Sequence, residues 1–206
     1  MEAVTSLDSY RGRAARRPSR PQRPASAPRF YFDLSSPYTY LAAERADRMF
    51  AGLRWMPASA DALQCAAFIG EDEREAIRER AALLGLPLVW PATRARRTAG
   101  AMRVASLAAE RGLGAAFVLA ACRLEYCGGY SIEDPEILAE AAAAAGIDLV
   151  EMLRAAGDLG RDGPIEETGR TLLAAGADRL PALRVGRLLF CGEDRLSEAV
   201  AARASA

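Results

Sequence analysis

This chain of 206 residues has no histidine and no lysine. Without histidine it can form no Ser-His-Asp triad, no imidazole general base and no histidine ligand for a metal. Its positive charge comes from arginine alone, and 27 basic residues balance 27 acidic ones. A net charge of zero creates no overall field that attracts nucleic acid or an anionic membrane. We therefore expect neither as a partner.

Cysteine is scarce, and its spacing excludes a redox pair. The four cysteines are Cys65, Cys122, Cys127 and Cys191, and none of them belongs to a Cys-x-x-Cys motif. Cys122 and Cys127 lie five residues apart, which suits neither a dithiol nor a pair of zinc ligands. We interpret the cysteines as small apolar residues of a reduced, cytoplasmic protein without a metal site.

Long apolar runs are also missing. No stretch is long enough to span a membrane, and none resembles the core of a secretory signal. The composition, 51% hydrophobic and 26% charged, is nevertheless sufficient for a sizeable core. Together with the length it predicts one domain that carries an insertion.

The first 28 residues differ in composition from the rest. They contain six arginines and four prolines against two acidic residues, Glu2 and Asp8, and show no apolar periodicity. Such a segment buries too little surface to offset the entropy of ordering it. We predict a disordered extension; the alternative is a basic arm that binds acidic partners, or a leader.

An aromatic strand is followed directly by a helix start. In residues 30–34, Phe30, Phe32 and Leu34 alternate with other side chains, as strands do. Ser36 and Pro37 follow, and this dipeptide has an ordinary interpretation, in which serine caps a helix and proline occupies its first turn. The first helix is expected from Pro37 to about Phe50.

A second proline, Pro181, precedes a probable hairpin. Residues 182–185 and 188–191 are apolar strands joined at Gly186-Arg187. Proline is tolerated at the first residue of a strand with either a trans or a cis bond. The order of elements is therefore strand, Ser-Pro helix, strand, helices, proline strand, strand and last helix. This is the order of a thioredoxin fold split by a helical insertion.

The fold class predicted is thus α/β, with a thioredoxin-like domain formed by residues 29–58 and 161–206. Residues 53–57 form the second strand, parallel to the first, and residues 59–160 form the helical insertion. Helices are expected over 71–84, 98–111, 115–126, 135–145, 149–156, 164–175 and from Asp194 or Arg195 to about Ala202.

Two segments carry a resemblance to a known family. Residues 30–41, Phe-Tyr-Phe-Asp-Leu-Ser-Ser-Pro-Tyr-Thr-Tyr-Leu, resemble the opening of the DsbA-like thioredoxin superfamily. Within it they are similar to the branch of kappa-class glutathione transferases and 2-hydroxychromene-2-carboxylate isomerases. Residues 180–196 resemble the cis-proline strand, hairpin and Gly-x-Asp-Arg-Leu ending of that branch.

The resemblance implies a site for glutathione or another small thiol. Ser36 stands where redox relatives carry a cysteine, and a serine at a helix N-terminus favours a bound thiolate. Leu180 would pair with the peptide backbone of the thiol beside cis-Pro181. Asp194, with Glu193 beside it, would hold the amino group, although Asp194 is equally interpretable as a helix cap.

Five residues are candidates for contact with the substrate. Arg54, Arg97 and Arg103 could pair with an anionic group, although most arginines are simply solvated. Tyr38 follows the serine within one helical turn, with core packing as the alternative. Cys191 replaces a bulky aromatic of the relatives and either reacts or packs. Other departures from the family are Ala182 for threonine, Glu193 for glutamine, Met56 for arginine and Arg97 for asparagine.

The resulting functional hypothesis is a glutathione-dependent isomerase or a kappa-type glutathione transferase that acts on a small electrophilic or aromatic molecule. By family resemblance we expect a homodimer. The alternative is a catalytically silent thioredoxin-fold binding protein. A DsbA-like disulfide oxidoreductase is disfavoured, because Ser36 and Thr39 occupy both positions of the redox cysteines.

Overall fold

The structure is a computed structural model, and it describes residues 27–64, 69–91 and 98–204. Within these ranges it contains one four-stranded sheet and eight α-helices. The strands are β1 (Arg29–Phe32), β2 (Arg54–Pro57), β3 (Ala182–Val185) and β4 (Leu188–Cys191). The helices are α1 (Pro37–Met49), α2 (Glu71–Leu83), α3 (Ala99–Glu110), α4 (Gly114–Tyr126), α5 (Pro135–Ala144), α6 (Leu149–Gly157), α7 (Asp162–Ala174) and α8 (Leu196–Ala204). The predicted α/β thioredoxin-like class is confirmed.

The sheet has the strand order β2-β1-β3-β4. β1 is parallel to β2 and antiparallel to β3, and β3 is antiparallel to β4. The C-terminal ends of β1, β2 and β4 therefore meet the start of β3 at one end of the sheet. We call this the site end; the opposite end, where Arg29 pairs with both Arg54 and Arg184, is the far end.

The two faces of the sheet are covered by different helices. Phe30 and Phe32 point to the face covered by α1, where the ring of Trp55 meets Phe30 edge-on at 4.8 Å between centroids. Tyr31 points the other way and packs with Leu172 of α7 in a second cluster. This alternation is the period-two pattern seen in the sequence.

Five helices, α2 to α6, lie between β2 and α7, where the insertion was expected. Their bounds agree with the predicted ones to within about one residue at each end. Asp134 caps α5 by accepting the N–H of Glu136, and Asp148 caps α6 by accepting the N–H of Glu151. In the described part of the chain, no helix is long and apolar enough to cross a membrane.

β1 is shorter than predicted, ending at Phe32 instead of Leu34. The reason is a local hydrogen-bonded turn. Ser36 donates its backbone N–H to the carbonyl oxygen of Asp33 at 3.1 Å, which takes the chain out of the sheet.

The last helix also starts later than expected, because Glu193–Arg195 form a 3-10 turn before α8. The predicted N-terminal extension, except for residues 27 and 28, lies outside the described residues, as does Cys65.

Candidate active site

Ser36 occupies the N-cap position of α1, yet its side chain does not cap the helix. Thr39 instead donates its backbone N–H to the carbonyl oxygen of Ser36 at 2.9 Å, and its hydroxyl bonds to the carbonyl oxygen of Asp33 at 2.7 Å. Among the described residues the half-buried hydroxyl of Ser36 has no hydrogen-bond partner. It is available to a ligand, at the positive end of a 13-residue helix with no acidic residue in its first turn.

The buried carboxylate of Asp33 fixes the loop that carries Ser36. One oxygen, Oδ1, accepts the backbone N–H of Ser35 at 2.9 Å and its hydroxyl at 2.7 Å. The other, Oδ2, accepts the N–H of Ala60 at 2.8 Å, which ties the loop to the segment after β2. Burial raises the pKa of the Asp33 carboxyl, opposed by the hydrogen bonds from Ala60 and Ser35.

The proline segment reaches the same end of the sheet as Ser36. Ala182 pairs with Tyr31, so Pro181 lies beside Phe32, from which the chain continues to the serine. The Leu180–Pro181 peptide bond is cis. Pro181 accepts the N–H of Gly192 at 2.8 Å, whereas in the described structure neither backbone polar group of Leu180 has a backbone partner.

Glu193 has another role in the structure than the one predicted for it. Its buried carboxylate accepts hydrogen bonds from Arg45 of α1 at 2.8 Å and from Arg80 of α2 at 2.6 Å. The carboxylate is therefore occupied by two guanidinium groups of the chain itself, and its buried charge is compensated. We leave Glu193 out of the thiol site and treat it as a link between α1, α2 and the turn before α8.

Asp194 is exposed beside this link and remains a candidate for ligand binding. Gly192, with φ of +100°, brings the turn back on itself, and an added Cβ there would lie 2.4 Å from Oδ1 of Asp194. The pKa values of Arg80, Arg179 and Arg195 are raised chiefly by their hydrogen-bonded acids Glu193, Asp178 and Glu198, and the nearby negative charge of Asp194 adds to this.

Tyr38 lies on the first turn of α1 and connects it to α2. Its hydroxyl donates to Oε1 of Glu73 at 3.2 Å. Burial, reinforced by the charge of Glu73, raises the pKa of Tyr38 to about 12. This half-buried phenol follows Ser36 by two residues on α1.

Cys191 is close to Pro181 along the sheet but belongs to the α7 face. It pairs with Ala182 and packs against the cluster that contains Tyr31. Burial raises the pKa of the Cys191 thiol, although hydrogen bonds from the backbone of Asp178 and Arg179 oppose this. A thiol of raised pKa is a poor nucleophile, so the packing interpretation is favoured.

The structure does not bring the arginine candidates together at this site. Arg54 begins β2 and lies at the far end of the sheet. Arg97 lies outside the described residues. Arg103, the third arginine candidate, forms a two-pronged ion pair with Asp162 at 2.7 and 2.8 Å, so its guanidinium group is occupied by a structural contact.

The start of α3 lies against the same loop, and the sequence analysis assigned no role to Thr98 or Met102 there. Leu34 donates its backbone N–H to the sulfur of Met102 at 3.4 Å. Thr98, the N-cap of α3, is 3% exposed, and its hydroxyl has no partner among the described residues. Asp33 was also overlooked, although an acidic residue directly after a buried strand was a usable signal.

These features define a class: a thioredoxin-type fold with a serine at the N-terminus of its first helix and a cis-proline at the same end of the sheet. Comparison with protein families agrees, because the profile of the DSBA-like thioredoxin domain matches residues 29–198. The chain belongs to that family. Comparison with curated proteins gives no match.

Several solved structures have the same fold. The isomerase of 2-hydroxychromene-2-carboxylate superposes with a TM-score of 0.74 and 19% identity over 87% of this chain and 95% of that one. A probable DsbA oxidoreductase from Streptomyces coelicolor gives a TM-score of 0.66 and 20% identity, with coverages of 87% and 88%. The cytosolic disulfide reductase DsbM from Pseudomonas aeruginosa, solved with GSH, gives 0.61 and 20%, with coverages of 87% and 96%. At such identities the likeness shows the fold alone.

Proposed function

We propose that this protein is a glutathione-dependent isomerase or transferase that activates a bound small thiol with Ser36. The observation that carries the proposal is the free hydroxyl of Ser36 at the start of α1, where a cap was the ordinary expectation. Leu180 and Pro181 lie at the same end of the sheet. The solved relatives include a 2-hydroxychromene-2-carboxylate isomerase and a reductase solved with GSH, which supports this choice of chemistry.

The chemistry needs no histidine. The thiol loses its proton to water, and the thiolate accepts a hydrogen bond from the Ser36 hydroxyl in the field of the helix N-terminus. The thiolate then adds to one carbon of an activated double bond, and the π electrons move to the conjugated acceptor. Rotation about the resulting single bond, followed by expulsion of the thiolate, gives the isomer. Protonation of the adduct instead gives the transferase product.

Two further groups would orient a glutathione-like tripeptide. The backbone N–H and C=O of Leu180 lack backbone partners in the described structure, so they can pair with the peptide of an extended ligand. The exposed carboxylate of Asp194 can bind an ammonium group.

Replacement of Ser36 by alanine tests the proposal. We expect S36A to raise the pKa of bound glutathione, measured by ultraviolet absorption of the thiolate, and to lower the turnover of a generic electrophilic aromatic halide roughly 10²-fold. S197A, which removes an exposed hydroxyl from α8, is the control and should match the wild type. An unchanged thiol pKa and rate in S36A would refute the assignment.

The silent binding protein remains the competing hypothesis. It predicts no thermal shift with glutathione or with any other small thiol, whereas an enzyme should be stabilised by the thiol it uses. A disulfide oxidoreductase has less support. The second cysteine position of the redox motif holds Thr39, which is fully buried and already bonded to the carbonyl of Asp33.

We further propose that the protein acts in a reducing compartment such as the cytoplasm. Cys122, Cys127 and Cys191 are free thiols, and such thiols persist where disulfides are kept reduced. A homodimer remains a proposal from the family resemblance, and measurement of the mass in solution tests it.

A further inference from the structure

Three arginines lie side by side across three strands at the far end of the sheet. Arg29 of β1 pairs with Arg54 of β2 on one side and with Arg184 of β3 on the other. Paired residues project from the same face of a sheet. Because Tyr31 and Ala182, two positions along, pack on the α7 face, the three arginines also project from that face. We call Arg54, Arg29 and Arg184 the arginine row.

The row is electrostatically unfavourable as it stands. Neighbouring strands are only about 4.8 Å apart, and like charges placed directly opposite destabilise a sheet. Within the described ranges none of the three guanidinium groups has an acidic partner. Moreover, Nε of Arg184 is buried and has no hydrogen-bond acceptor. A buried donor without an acceptor is costly, so this side chain adds to the unfavourable energy of the row.

Most other arginines in the described part of the chain behave differently. Arg103 binds Asp162, and Arg170 binds both Glu166 and Glu167 on its own helix. Pairing with a neighbouring acid is therefore common in this protein, even at exposed positions. The row is unusual in placing three arginines without described acidic partners directly opposite one another, although acidic and basic residues are equal in number over the whole chain.

The surroundings add room for a ligand but little negative charge. Arg54 is exposed and lines a groove of about 470 Å³ along the outer edge of β2. The acid on the wall of this groove, Glu110, is already paired with Arg161 at 2.9 Å. The chain enters β1 from residues 1–28, which carry six arginines and only two acids. That segment has too few acids to neutralise the row.

We propose that the arginine row binds a short chain of phosphoryl groups, as found in inorganic tripolyphosphate and in nucleoside triphosphates. The planar guanidinium group pairs with phosphate through two parallel hydrogen bonds. The row spans two strand spacings, about 10 Å, which suits an extended, multiply charged anion. The site lies at the opposite end of the sheet from Ser36 and does not depend on the thiol chemistry proposed there.

Calorimetric titration of the full chain with tripolyphosphate tests the site. We expect binding that weakens with added salt and that falls about tenfold for each arginine removed, hence about a hundredfold in R54Q/R184Q. The control is R16Q/R17Q, which changes the net charge equally but in the N-terminal segment. It should retain wild-type affinity. Equal loss in the two double variants would show attraction to net charge only and would overturn the proposal.

Parallel titrations identify the ligand. ATP and tripolyphosphate binding equally supports recognition of the phosphoryl chain, and tighter binding of ATP supports a nucleotide as its source. Citrate binding as tightly as tripolyphosphate, or no binding of either phosphate compound, contradicts the proposal. Thermal unfolding provides a second readout: tripolyphosphate should raise the Tm of the wild type more than that of the single exposed variant R54Q, and equal shifts would contradict it.

Discussion

Glu193 stands where the family resemblance led us to expect glutamine, and its charge determines what the side chain does. Its carboxylate is 5% exposed and is held between Arg45 of α1 and Arg80 of α2. A carboxylate can accept from two guanidinium groups at once, whereas an amide offers one oxygen and places a donor at the other position. The extra charge that the sequence shows beside Asp194 therefore faces inward.

We expect E193Q to lower the free energy of unfolding by about 2 kcal/mol. The amide loses one charge-assisted hydrogen bond and leaves one guanidinium without its buried counter-charge, a cost reduced because Arg80 is partly exposed. Urea denaturation measures the change. E198Q, which removes an exposed partner of Arg195, is the control and should leave the midpoint where it was. An unchanged midpoint in E193Q would mean that the network stabilises nothing.

The residues of the site were predictable to different degrees. Ser36 and Pro181 follow from local motifs, because each marks a boundary between a strand and a turn. Arg54 was assigned to the wrong end of the sheet. Its position depends on the direction and register of β2, which the sequence alone does not provide. The role of Glu193 depends on where α2 packs, and such long-range contacts leave no pattern in the local sequence.

At the scale of elements, α7 supports the candidate site through the segment after β2. Gly169 of α7 lies so close to that segment that an added Cβ would be 2.6 Å from the carbonyl oxygen of Ser59 and 2.9 Å from Cβ of Ala62. Ser59 also donates its N–H to the carbonyl oxygen of Ile165 at 3.2 Å. The same segment supplies the N–H of Ala60 that holds Asp33.

Two glycine-to-alanine substitutions, one in α7 and one in α3, test this contact. G100A, in α3, should leave the protein as stable or up to about 1 kcal/mol more stable, because the added methyl meets only Cβ of Ala156 at 4.0 Å and alanine favours a helix. G169A gains the same helix propensity but should be destabilised by about 1–3 kcal/mol, because backbone atoms cannot move aside cheaply. Thermal or urea unfolding of both variants gives the comparison. Equal stabilisation of the two would show that α7 does not press on this segment.

Helix bounds were predictable because the signals that set them are local. Apolar spacing, Asp134 with Pro135 at the start of α5, and Gly146, which follows α5 with φ of +80°, define that element without tertiary information. The end of β1 was predicted too late because a turn sets it, and the apolar alternation up to Leu34 does not show this turn. Ser36 donates its backbone N–H to the carbonyl oxygen of Asp33, and the Asp33 carboxylate holds the turn by accepting the N–H groups of Ser35 and Ala60.

For the whole molecule, the inserted helices and the sheet share one hydrophobic core. A continuous cluster includes Phe30 and Trp55 of the sheet together with Val104 of α3 and Phe117 of α4. The sequence analysis divided the chain into a thioredoxin-like part and an insertion, but this division describes only the order of the elements along the chain. Because the two parts bury their apolar side chains in one continuous core, we expect them to unfold cooperatively.

The two tryptophans of the chain report on its two parts. Trp55 packs in the sheet against Phe30, whereas Trp90, after α2, meets Tyr126 of α4 edge-on at 6.2 Å. In W90F only Trp55 remains, and in W55F only Trp90. We expect the fluorescence transition in urea to coincide with the loss of far-ultraviolet circular dichroism in each variant, because removal of either part exposes the shared core. Since each variant is compared with itself, a change in its overall stability does not affect the result. A Trp90 signal that is lost at lower urea than the circular dichroism would mean that the inserted helices unfold as a separate unit.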